Sequence, residues 1–198
     1  MNKSLLKNKL NTASLVLIPV AVGINYIGKA FAQSLKLPLW LGSIGTAISS
    51  MLAGPVIGAI CGAINNLVYG LTDVMSMPYA LTSVFIGASI GILARKNKLS
   101  SIPKVIFAGL LVAVIAAVVS TPLNIIFWAG TTGNVWGDGV FTVMMANHIP
   151  EWISSFVDEF IIDVPDKIIT MLVAYEIVKN LPDSLTLLYK NNEQIEEL

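Results

Sequence analysis

The residues able to do chemistry are concentrated near the end of the chain. Asp158, Glu159, Asp163, Asp166 and Lys167 fall within a short stretch set among apolar residues. If that stretch is helical, 100° per residue puts Glu159, Asp163 and Lys167 in one row, four apart. Asp163 and Lys167 can then neutralise each other as an i, i+4 pair. Pro165 removes one backbone hydrogen bond and bends the helix between them. For Asp166 and Lys167 the expected role is therefore a structural ion pair around a kink. Asp158 and Glu159 have no basic neighbour in sequence, which makes them the candidates for contacting a solute.

Just upstream lie Trp128, Asn134, Trp136, Asn147, His148, Glu151 and Trp152. Aromatic rings at membrane boundaries are ordinary belt residues. Three tryptophans grouped with Asn, His and Glu also suit a pocket for a small heteroaromatic solute, where stacking gives affinity and hydrogen bonds give orientation. His148 is the only histidine and has no serine placed beside it by sequence. Neither a catalytic pair nor a metal-ligand spacing is assigned, and no cofactor is expected. Gly23 to Lys29 fits most of a phosphate-loop pattern, but Ala30 stands where a hydroxyl should hold magnesium, and no strand precedes it. Cys61 sits in an apolar run and reads as a packing residue.

Composition says what surrounds these groups. The 198 residues are 55% hydrophobic and 12% charged, with a mean hydropathy of +0.77. Soluble domains carry roughly a quarter charged residues, so lipid must supply part of the shell. Twelve basic and twelve acidic residues cancel, which gives nucleic acid nothing to bind. The expectation is an all-α integral membrane protein, a compact bundle of six transmembrane helices. The apolar segments are 13–34, one ending near 53, 56–71, 78–94, 102–128 and 151–181. The second is short enough that five spans is the alternative. Residues 129–150 read as a loop. The sequence thus divides into an N-terminal segment, 1–12, a transmembrane substrate-binding domain, 13–181, and a polar, weakly ordered tail, 182–198.

Basic residues orient the bundle. Lys3, Lys7 and Lys9 precede the first span, Arg95, Lys96, Lys98 and Lys104 separate the fourth from the fifth, and Lys179 ends the sixth. With six spans these fall on one side, the cytoplasm, together with both termini. The lysines followed by Ala30-Phe31-Ala32 imitate a secretory signal, but the apolar stretch is long for one and Lys29 precedes the site. Small residues recur at Gly54, Gly58 and Gly62, at Gly87 and Gly91, and at Gly109, Ala113 and Ala117, as close helix packing in lipid requires. Ala21, Gly28 and Ala32 form a looser pattern on the first helix that would suit a docking partner.

The run Leu37-Pro-Leu-Trp-Leu-Gly-Ser-Ile-Gly-Thr46, then Gly54-Pro55 with its glycine stripe and Asn65, resembles the substrate-binding S components of energy-coupling factor (ECF) transporters. Asp163-Val-Pro-Asp-Lys-Ile168 is similar to their last helix. The resemblance implies a subunit of the bacterial cytoplasmic membrane that captures a vitamin or related micronutrient from outside. Its partners would be the lipid bilayer, a transmembrane coupling protein and two ATPases. It implies a pocket at Trp40, Tyr79, Asn124, Trp128, Trp136, His148 and Glu159, with Asp158 added from the helix-six reading, and docking through Ala21, Gly28 and Ala32. The acidic residues favour an amine-bearing solute. A membrane sensor, a self-sufficient transporter and a membrane-embedded enzyme are the competing classes. The short tail, the lack of internal symmetry and the lack of a catalytic constellation count against them in that order.

Overall fold

The computed structural model describes residues 12–194, with side chains described through Tyr189. The early lysines Lys3, Lys7 and Lys9 lie outside the described residues. Within them the chain is all α-helical, with eight helices and no strand: α1 (Thr12–Ser34), α2 (Ile44–Ala53), α3 (Pro55–Tyr69), α4 (Ala80–Arg95), α5 (Ile102–Trp128), α6 (Val135–Ala146), α7 (Glu151–Lys179) and α8 (Asp183–Gln194). A single 3-10 turn, Val74–Ser76, lies between α3 and α4.

The short helix α2 is begun by another helix. Its N-cap residue, Ser43, makes no side-chain cap. Instead the fully buried Asn25 of α1 accepts the N–H groups of Gly45 and Thr46 at 2.7 and 3.2 Å and donates to the Thr46 hydroxyl at 2.8 Å. Two of the donors that every helix start leaves open are thereby satisfied. At the other end Gly54 has φ +85° and ψ −177°, a conformation essentially restricted to glycine. Pro55 then starts α3 at the position where its missing N–H costs nothing.

The glycine stripe of α3 is internal packing. A Cβ on Gly58 would lie 2.9 Å from the Gly87 carbonyl, and one on Gly87 would lie 2.3 Å from that of Gly58. The α3 and α4 backbones therefore touch, as small-residue seams allow. Apolar side chains of α2, α4, α5 and α7 fill the main core, including Ile48, Ile90, Val112 and Met171. A smaller cluster joins Leu17, Ala21, Ala53, Ile57 and Cys61, with Tyr189 of α8 packed against it.

Two ends result. Gly54 meets the Arg95 guanidinium at the end that also carries the 96–101 connection and α8. The 35–43, 70–79 and 129–134 connections gather at the opposite end, where the Asn134 amide donates to the Leu37 carbonyl at 3.2 Å and Met75 approaches Gly133.

The structure departs from the sequence reading in one place and adds to it in two others. The region 129–150 is not all loop: α6 forms within it, its start capped by Asn134, whose side-chain oxygen accepts the Trp136 N–H at 3.1 Å. Within the tail, Asp183–Gln194 form α8. Finally, α1 and α5 are the two helices long and apolar enough to cross a membrane. Helix α2, ten residues, rises about 15 Å, half of a hydrocarbon core of roughly 30 Å. Helix α7 has the length, 29 residues, but its charged cluster interrupts the apolar run.

Candidate solute-binding site

The loop-rich end of the bundle holds a cavity of about 260 Å³. At about 30 Å³ per water, that is room for a solute of one or two small rings. Lys29 and Gln33 of α1 line it, as do Trp40 and Ser43, Asn65 and Asn66 at the end of α3, Tyr79 and Ser83, and Glu159, Asp163 and Lys167 of α7. Five otherwise apolar helices thus each turn polar where they face this space.

Its floor is the charged cluster of α7. Lys167 donates to Asp163 at 2.8 Å and to Asp166 at 2.6 Å, all three being buried. The i, i+4 pair expected across Pro165 is present. Asp166 has a second duty: its other oxygen accepts the N–H groups of Trp40 and Leu41 at 3.0 and 2.7 Å. It thereby ties the segment after α1 to the middle of α7, and this tie places the Trp40 side chain in the wall. Glu159 is reached by another chain of contacts: the Asn124 amide donates to it at 3.2 Å, and the Tyr79 hydroxyl donates to the Asn124 carbonyl oxygen.

The mouth is polar too. Lys29 lies 3.9 Å from Asp73, donates to the Ser76 hydroxyl, and stands 4.0 Å from the centre of the Tyr69 ring, within cation–π range. Ser76 in turn donates to Asp73 at 2.8 Å. Asn66 donates to the Tyr79 carbonyl at 3.1 Å and to the Ser83 hydroxyl.

The expected site residues divide clearly. Trp40, Tyr79 and Glu159 line the cavity, and Asn124 stands behind, bonded to two of them. Asp158 does not line it. Fully buried, it accepts from the Thr132 hydroxyl at 3.0 Å, while Asp138 accepts the Thr132 N–H at 2.9 Å. These two carboxylates hold the 129–134 loop, and Thr132 is what reaches the cavity. Trp128 is half-buried beside Phe127, 6.2 Å between ring centroids. Trp136 is exposed and clips α6 to the 35–43 segment by donating to the Lys36 carbonyl at 3.0 Å. His148 is exposed at φ +58° in the turn between α6 and α7. Those three lie away from the cavity: Trp128 ends α5, Trp136 sits on α6, which packs against α7, and His148 follows α6.

The expected docking residues Ala21, Gly28 and Ala32 lie against other parts of the chain. Ala21 and Ala32 are 1% and 2% exposed. Gly45 is pressed against the Ala21 carbonyl, and Gly28 against that of Leu41. This small-residue face of α1 is used inside the chain, against α2 and the segment before it. Lys29, Gln33, Asn66 and Asp73 went unrecognised, although a lysine near the end of an apolar helix and paired asparagines at the end of another were visible signs.

Among the described residues no group of three His, Cys, Asp or Glu side chains could hold a metal ion. The site offers paired charges, amides and two aromatic rings, an equipment for holding a polar solute. Comparison with family models, curated proteins and solved structures gives no match for this chain.

Proposed function

We propose that the protein is a substrate-binding membrane subunit of an ECF-type transporter, taking a vitamin or related micronutrient for uptake driven by a separate coupling protein and two ATPases. In this reading six helices are set in the bacterial cytoplasmic membrane, the short α2 crossing only part of its depth, with both termini inside, and the protein is not an enzyme. The observation that carries it is the cavity. Ionisable groups at membrane depth are costly and mark solute paths, and here Glu159, Asp163 and Lys167 line one cavity with Trp40 and Tyr79. The cavity lies at the end away from Arg95 and its basic neighbours, so the positive-inside bias turns it outward. The sequence resemblance at 37–46, 54–65 and 163–168 supports the same class.

A thermal-shift screen of the detergent-purified protein against water-soluble vitamins and their precursors tests the reading. A ligand that binds only the folded form at a thousandfold excess over Kd adds about 4 kcal/mol of stability. One compound giving a large shift identifies the cargo. Uptake against a gradient by the chain alone in proteoliposomes would instead make it a self-sufficient transporter.

A further inference from the structure

The cavity has a charge imbalance and a set of unused acceptors in its lining. Four carboxylates, Asp73, Glu159, Asp163 and Asp166, stand in or directly behind the wall, against two lysines, Lys29 and Lys167. Lys29 belongs to Asp73 at the mouth. Lys167 is shared between Asp163 and Asp166. Glu159 is left with the neutral amide of Asn124 and the Tyr79 hydroxyl behind it. Buried carboxylates without cationic partners are expensive, a cost that either a proton or a bound cation removes.

Independent of the charge count, three buried polar atoms of cavity-lining residues have no hydrogen-bond partner: Ser43 Oγ, Asn65 Oδ1 and Asp163 Oδ2. Their residues are 6%, 3% and 1% exposed. Two of the three atoms can only accept. Buried acceptors are rarely left unpaired in native proteins, and together they call for N–H donors on the occupant. The mouth is differently made, since the Lys29 cation faces it.

We infer that the cavity takes an organic cation, a small ring solute bearing an amine or a comparable N–H-rich positive group, seated with that group on Glu159, Asp163 and Asn65 and its ring beside Trp40 and Tyr79. The inference rests on the solute-binding reading above and narrows it to a charge class and an orientation. An anionic solute would set its carboxylate against Glu159 and Asp163. A neutral one would give Glu159 and Asp163 no charged partner.

Ring-matched probes test this on the purified full chain by thermal shift and then titration: pyridoxamine, pyridoxine and 4-pyridoxate, and the aminomethyl and hydroxymethyl forms of 4-amino-2-methylpyrimidine, with thiamine as a permanent cation. The expected result is stabilisation by one or more cationic members, with the neutral or anionic partner of the same ring binding at least about tenfold more weakly. Glu159→Gln, which keeps the shape and the contact with Asn124, should abolish that preference. Asp163→Asn should weaken the cation further, and Glu159→Gln serves alone if that second variant fails to fold. A neutral or anionic member binding as well as its cationic partner, or an unchanged preference in Glu159→Gln, overturns the charge assignment and leaves a solute site standing. No shift from any probe in this panel overturns the charge assignment, and the solute-binding reading falls with it only if the full vitamin screen is also silent.

Discussion

One oxygen of Asp166 accepts the backbone N–H of Leu41 at 2.7 Å, across 125 positions of sequence. The same carboxylate holds Lys167 through its other oxygen. A single side chain therefore holds both the wall segment bearing Trp40 and the lysine of the floor.

Replacing Asp166 by Ala should destabilise the protein by about 2–6 kcal/mol, because it leaves two backbone donors without their acceptor, at about 1–3 kcal/mol each, while Lys167 keeps Asp163. Thermal unfolding in detergent checks it. A midpoint within a degree or two of wild type would mean that the 35–43 segment is held by something else.

Inside and outside of the cavity can be separated by mutation once a ligand is known. Asn65→Leu should cost roughly tenfold in affinity, the worth of one hydrogen bond to a charged group. Trp136→Ala and His148→Ala should leave affinity unchanged, since neither side chain reaches the cavity. Isothermal titration decides; a large loss from Trp136→Ala would show that α6 contributes to binding.

Two glycines should respond oppositely to the same change. Gly87→Ala forces a methyl group into the Gly58 carbonyl and should cost about 1–3 kcal/mol by overpacking. Gly139→Ala meets nothing within 4 Å and should be neutral or stabilising by up to about 1 kcal/mol. Paired melting curves read both, and equal effects would refute the α3–α4 contact.

Orientation is testable with single cysteines in a Cys61→Ala background. A membrane-impermeant maleimide applied to intact cells should label Lys36→Cys and spare Asn97→Cys. The reverse pattern would put the cavity on the cytoplasmic side.

Much of this was legible in the residues, for identifiable reasons. The pairing of Asp163 with Lys167 follows from spacing alone, and the α3 glycine stripe announces a close helix neighbour. Which helix it meets is a long-range fact, and Gly87 could not be singled out from Gly109 by sequence. Helix α6 was missed because its glycines, Gly137 and Gly139, read as loop; the Asn134 cap and packing on α7 override that weak propensity. The cavity was half visible. Glu159 is conspicuous as an acid in an apolar helix. Lys29 and Asp73, by contrast, sit near the ends of apolar segments, where charged residues are ordinary, and only the fold brings them together. Asp158 stands beside Glu159 in sequence but projects about 100° away around the helix, towards Thr132.

The cap that Asn25 provides for α2 also bears on assembly. A ten-residue helix is too short to persist by itself in water, and this one has its opening N–H groups closed by a residue made some twenty positions earlier. Synthesis delivers α1 first, so the template stands ready when Gly45 and Thr46 emerge. A chain that began after α1 would lose more than one helix, for α2 would be left without its starting point, and with it the turn that hands the backbone on to α3.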